Sequence, residues 1–223
     1  MSRRNRLLLL AAVGAVVLIV LGLLGIYLAA RHEPAFYHEA MHIDRAVLEK
    51  GSDRMLQQTT ALASAVKKRG SWEALFTAEQ INGWLAVDLA RNYPNTLPPM
   101  LHDPRVAIDS KRITVACRFD QDGFTSVLNL TVEPYLPEPN VVALRIVSAR
   151  AGLLPVPLGQ VLDRISEAAR DLRVHLEWRR AGGDPVALFS LPPASDDRPM
   201  RIETLRLGEG EIYVGGTTEA AKP

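Results

Sequence analysis

The chain has 223 residues, 48% of them hydrophobic and 6% aromatic, and its 26 Lys and Arg stand against 25 Asp and Glu for a net charge of +1. That balance excludes a nucleic-acid binder, which needs a basic excess to meet phosphates. Cys117 is the only cysteine, which excludes an intramolecular disulfide in any compartment.

Residues 7–30 are uncharged throughout. As a helix they reach about 36 Å, enough to cross a hydrocarbon core of about 30 Å with modest tilt. Arg3, Arg4 and Arg6 precede this span with no acidic residue nearby, and such a flank stays in the cytosol. The expectation is a single-pass signal anchor in the cell membrane, N-terminus cytosolic and the rest extracytoplasmic. A cleaved signal peptide fits less well, because its apolar region runs only about 7 to 15 residues and ends in a small-x-small site. Tyr27-Leu28-Ala29-Ala30 is a poor match to that site. Past Arg6 the acidic residues slightly outnumber the basic ones, so contact with lipid beyond the anchor must be apolar.

Pro34 can open a helix, and residues 35–69 are free of proline with one interruption at Gly51-Ser52, which predicts a helical stalk in two pieces. Thr77 with Gln80 three residues later is a capping box that starts the next helix. Ile81, Trp84, Leu85 and Leu89 recur there at helical spacing until Asn92, Tyr93 and Pro94 end it. The period then falls to two. Residues 106–108, 113–119, 124–132 and 141–147 read as strands, the first three as a meander joined by Asp109-Ser110-Lys111 and Gln121-Asp122-Gly123. The proline-rich residues 133–140 separate the third from the fourth. Cys117 shares a strand face with Ile113, Val115 and Phe119 and reads as a core thiol.

Residues 151–157 lead into an amphipathic helix bearing Leu158, Val161, Leu162, Ile165, Ala169, Leu172 and Leu176 on one side, with Ala181-Gly182-Gly183 as its C-terminal cap. Three short strands follow at 186–190, 201–207 and 211–214, the last two joined by Gly208-Glu209-Gly210. Residues 191–199, with three prolines, form the expected mobile loop, and 217–223 a frayed tail.

The sharpest motif is His38-Glu39-Ala40-Met41-His42, a literal H-E-x-x-H that on a helix puts both histidines on one face for zinc, with Glu39 to activate water. A catalytic zinc needs a third protein ligand and an open position. Arg45 stands where a metzincin has glycine, Asp44 interrupts the apolar flank, and no later helix offers the ligand. The pair therefore reads as two exposed histidines, with a metal site at His38 and His42 as the alternative. The glycine turns lack a phosphate-loop lysine, no G-x-S-x-G occurs, and no cofactor is implied.

The segments Phe76-Thr77-Ala78-Glu79-Gln80-Ile81-Asn82 and Gly152-Leu153-Leu154-Pro155-Val156-Pro157-Leu158 resemble the bacterial YpmS-type family of membrane-anchored proteins of unknown function, and related exported domains with a tubular lipid-binding (TULIP-like) architecture. The resemblance covers about residues 76–214. It implies a curved sheet wrapping a long helix around an apolar groove for acyl chains, and no catalytic residue.

The expected organisation is a cytosolic tip (1–6), an anchor (7–30), a stalk (31–70), an exported α+β domain (71–216) of about six antiparallel strands on two amphipathic helices, and a tail (217–223). Lacking a catalytic cluster, an anchored domain of this kind binds something apolar or holds a partner. The expected function is a lipid or hydrophobic-ligand module, not an enzyme, with Ile81, Trp84, Leu85, Leu154, Leu158, Leu162 and Ile165 as groove candidates. The alternatives are a structural domain that docks another envelope protein and, third, a zinc metalloprotease.

Overall fold

A computed structural model describes residues 3–94, 96–171, 174–190 and 200–219, with backbone alone for 3–14. Three helices come first: α1 (Arg3–Ala30), α2 (Ala35–Met41) and α3 (Arg45–Ala65). Then β1 (Gly70–Thr77) runs into α4 (Ala78–Trp84), which widens into a π-helical turn (Leu85–Leu89) and closes in α5 (Ala90–Asn92). The strands β2 (Leu101–Ile108), β3 (Ile113–Gln121), β4 (Phe124–Glu138), β5 (Val141–Ala151) and β6 (Leu154–Pro155) precede α6 (Leu158–Asp171). Four more follow: β7 (His175–Ala181), β8 (Asp184–Ser190), β9 (Met200–Gly208) and β10 (Glu211–Thr218).

The fold is α+β and its sheets are antiparallel. The larger sheet has the order β2-β3-β4-β5-β8-β7 with the short β6 beside β5, and the smaller has β1-β10-β9. Backbone and side-chain amides stitch the two together. The Gly210 amide of the β9–β10 turn donates to Ile108 at 2.9 Å, while the Asn140 side chain in the β4–β5 turn donates to Met200 (2.8 Å) and accepts from Ile202 (2.6 Å). The expected capping box forms: Thr77 Oγ1 accepts from the Gln80 amide, and Gln80 Oε1 accepts from the Thr77 amide.

Residues 31–70 do not stand apart as a stalk. Tyr37 of α2 is fully buried against Ala116 and Val127, with its hydroxyl donating to the Asp103 carbonyl at 2.8 Å. The helical break falls at residues 42–44 rather than at Gly51-Ser52, which lie buried inside α3 where it crosses α4. The crossing is tight because both helices present glycine. A Cβ on Gly83 would lie 2.5 Å from the Leu48 carbonyl oxygen, and one on Gly51 would lie 2.7 Å from that of Glu79. Ser52, 1% exposed, donates to Asp88 in the π-helical turn.

Four further expectations need correction. The second amphipathic helix is described to Asp171 and does not reach Leu176: residues 175–181 form β7, because His175-Leu176-Glu177-Trp178-Arg179 alternates polar and apolar with period two. Ala181-Gly182-Gly183-Asp184 is then the β7–β8 hairpin turn, with Gly182 and Gly183 at φ +60° and +94°. Residues 133–138 continue β4 despite Pro134 and Pro137, since β3 stops pairing at Val132 and leaves that edge open to proline. Residues 217 and 218 belong to β10, where the Thr218 hydroxyl donates to the Val66 carbonyl at the end of α3. Leu172, the loop 191–199 and residues 220–223 lie outside the described residues.

Candidate functional site

The seven groove candidates fall in two places, at opposite edges of the larger sheet. Asn82 fixes the first: its buried amide donates to the Val106 carbonyl (2.9 Å) and accepts from the Val106 amide (2.7 Å), completing the ladder of edge strand β2. Ile81, Trp84 and Leu85 are therefore half-buried beside β2. Trp178 fixes the second: its indole N–H donates to Ser166 Oγ at 2.9 Å and ties α6 to the other edge strand, β7. Leu158, Leu162 and Ile165 lie on that helix, preceded by Leu154 in β6. The pattern missed Asn82 and Gly83. Their signal is a polar and a small residue inside an apolar helical stripe, which amphipathicity does not read.

Cross-strand partners project to one side of a sheet. Pairing of Trp178 with Ala187, and of Ala187 with Leu144, sets the side facing α6, and the register carries that side to Val132, Leu130, Leu128, Val115 and Cys117. Phe119 continues the row along β3. Coverage of this face is uneven. Ile146, Val132 and Ala149 are buried, but Cys117, Phe119, Leu128 and Leu130 are only partly buried and Val115 is 38% exposed. On α6 only Ala169 is buried, while Leu158, Val161, Leu162 and Ile165 stay half-exposed. Of the strands, α6 packs chiefly on the edge strand β7, so its apolar stripe and the partly buried apolar row of β3 and β4 are two separate surfaces on one side of the sheet. Burial pushes the Cys117 thiol above its ordinary pKa, so at neutral pH it behaves as an apolar group.

The uncovered strip runs toward the end of α1. There the last orphan carbonyls of that helix find partners on the domain: Ala29 accepts from the Leu153 amide at 2.9 Å, and Ala30 from Ser126 Oγ at 2.5 Å. Gly152, at φ +58°, makes this approach possible, since a Cβ would collide with the Ala29 and Ala30 carbonyl oxygens. Tyr27 meets Phe124 edge to face at 6.5 Å and carries the Arg31 guanidinium over its ring. Every large apolar side chain of α1 from Val16 to Leu28 is exposed. Among the residues whose side chains are described, which begin at Ala15, no single helix is long and apolar enough to cross a membrane; residues 15–30 together with α2, bent by 49°, pass by length and composition.

His38 and His42 stack at 4.3 Å on the exposed side of α2. Nδ1 of His42 donates to the His38 carbonyl at 2.7 Å, and Nδ1 of His38 lies 3.8 Å from Glu33. Among the described residues no group of three or more His, Cys, Asp or Glu is placed to hold a metal ion. Shallow concavities also lie elsewhere among the described residues. One of about 330 Å³ lies over Val141, Val186 and Leu188 with Glu177 and Arg179 at its rim, and one of about 300 Å³ lies between Leu85, Tyr93 and the prolines before β2. No protein-family model, curated protein or solved structure matches the chain.

Proposed function

We propose that the chain is a membrane-anchored, extracytoplasmic module that binds a lipid or another hydrophobic ligand and performs no catalysis. The observation that carries this reading is the incompletely buried apolar row of β3 and β4, with the apolar stripe of α6 packed on β7 on the same side of the sheet. Interiors pack to crystal-like density, so apolar residues held at intermediate exposure along one side of a sheet are suited to a further apolar body. An acyl chain has the right chemistry and shape.

The anchor reading is supported by the exposed apolar surface of α1, which the domain does not cover. Its backbone is helical from Arg3, and residues 7–14 extend the apolar stretch upstream. The 28-residue helix is about 42 Å long, sufficient for a bilayer. The α2 half of the bent pair belongs to the domain, because Tyr37 and Ala40 are buried there.

The test is extraction of lipid from protein purified in mild detergent, identified by mass spectrometry beside an unrelated single-span protein. A selective lipid near one per chain supports the module. Lipid no different from the control sinks it and leaves the envelope-docking domain as the reading.

A further inference from the structure

We propose that the β5–β6 turn, docked on the end of α1, forms a second membrane contact that holds the domain against the bilayer and opens its apolar strip directly to the outer leaflet. This rests on reading α1 as a membrane anchor and adds to it a surface, an orientation and a lipid source.

The backbone fixes the depth. Leu153 donates its amide to Ala29, so its side chain, 52% exposed, sits level with the last turn of α1. Phe124, the first residue after the β3–β4 turn, touches Tyr27 on the same turn. Tyr27 and Leu28 are themselves 45% and 60% exposed, and Arg31 donates to the Tyr27 hydroxyl at 2.8 Å. A tyrosine in the last turn of an apolar helix, with an arginine at its hydroxyl, is the arrangement found at the membrane–water interface. An apolar turn held at that height cannot avoid the interface.

Three contacts set this height: the Leu153 to Ala29 bond, the Ser126 to Ala30 bond and the close approach at Gly152. They join the end of the anchor directly to the domain. The ends of β3 and β4 that carry Phe119, Cys117 and Leu128 adjoin the same point, since Phe119 pairs with Ser126. An acyl chain can therefore pass from the leaflet onto the strip without crossing water. The β2–β3 turn lies at the other end of β3, about 26 Å away.

Single-cysteine variants of the full chain, made on Cys117→Ala, test this: Val20→Cys, Leu153→Cys and Lys111→Cys, each with an environment-sensitive fluorophore, in phosphatidylethanolamine–phosphatidylglycerol nanodiscs carrying spin-labelled lipids. All three positions are exposed, so labelling disturbs no packing. The expected result is strong quenching at position 20 by deep labels, quenching at position 153 by shallow labels severalfold above that at position 111, and little at position 111. Quenching at position 20 with position 153 equal to position 111 overturns the second contact and leaves the anchor standing. Absence of quenching at position 20 overturns the anchor and, with it, this inference.

Discussion

Tyr37 shows how much one side chain outside the expected domain can hold. Its hydroxyl is buried and donates to the Asp103 carbonyl, and burial, helped by the nearby Asp103 carboxylate, raises its pKa from the ordinary 10 to about 12. The phenol ionises more readily in the unfolded chain, so its contribution to stability is complete below pH 10 and disappears as pH rises through 12. Tyr37→Phe should cost about 0.5 to 1.5 kcal/mol at neutral pH by removing the hydrogen bond to the Asp103 carbonyl. It should also flatten the loss of stability between pH 10 and 12, both measurable by denaturant melts. At the α3–α4 crossing, Gly83→Ala should cost about 1 to 3 kcal/mol because the helices must separate. Gly159→Ala, in open space on α6, should not destabilise. Equal effects of the two substitutions would refute the close-approach account.

At the scale of elements, α6 is the informative helix. In a sealed core Leu162→Ala costs about 2 to 5 kcal/mol. The half-exposed stripe should lose less, and Leu162→Trp should remain folded while retaining less lipid. Melts and lipid extraction for both variants decide this, and an unfolded Leu162→Trp with unchanged lipid in Leu162→Ala would make α6 ordinary core. Elements with an unbroken local signal were legible in the sequence: the capping box of α4, the β2–β3–β4 meander and the Leu-Pro entry to α6. Elements decided by tertiary contacts were not. Strand β1 exists because Gly70 to Thr77 pairs with β10, well over half the chain away, and β7 was absorbed into a helix whose apolar stripe it happens to continue. The stalk assignment failed for a related reason: Gly51-Ser52 reads as a breaker locally, yet serves as a contact surface for Gly83. Of the candidate site, the α6 half was legible from amphipathicity. Val115, Cys117, Phe119, Leu128 and Leu130 were visible only as alternating strand residues, with nothing to say that their face would stay half-covered.

For the whole molecule, the coupling of anchor to domain matters as much as either part. Gly152→Val should force the β5–β6 turn away from Ala29 and Ala30, and hydrogen exchange should then quicken at the Leu153 amide while the β3–β4 ladder keeps its protection. Slow exchange at Leu153 in that variant would contradict the docking described above. The central claim, that an apolar ligand lies between α6 and the sheet, is tested most directly with bilayer lipids carrying a photoreactive group near the end of the acyl chain. Irradiation of the reconstituted chain, followed by peptide mapping, should place crosslinks on β3 or β4 around Val115 to Leu130 and on α6 around Leu158 to Ile165, as well as on α1. Crosslinks confined to α1 and the Leu153 turn would show that the domain touches the bilayer without taking up its lipids, and would contradict the account.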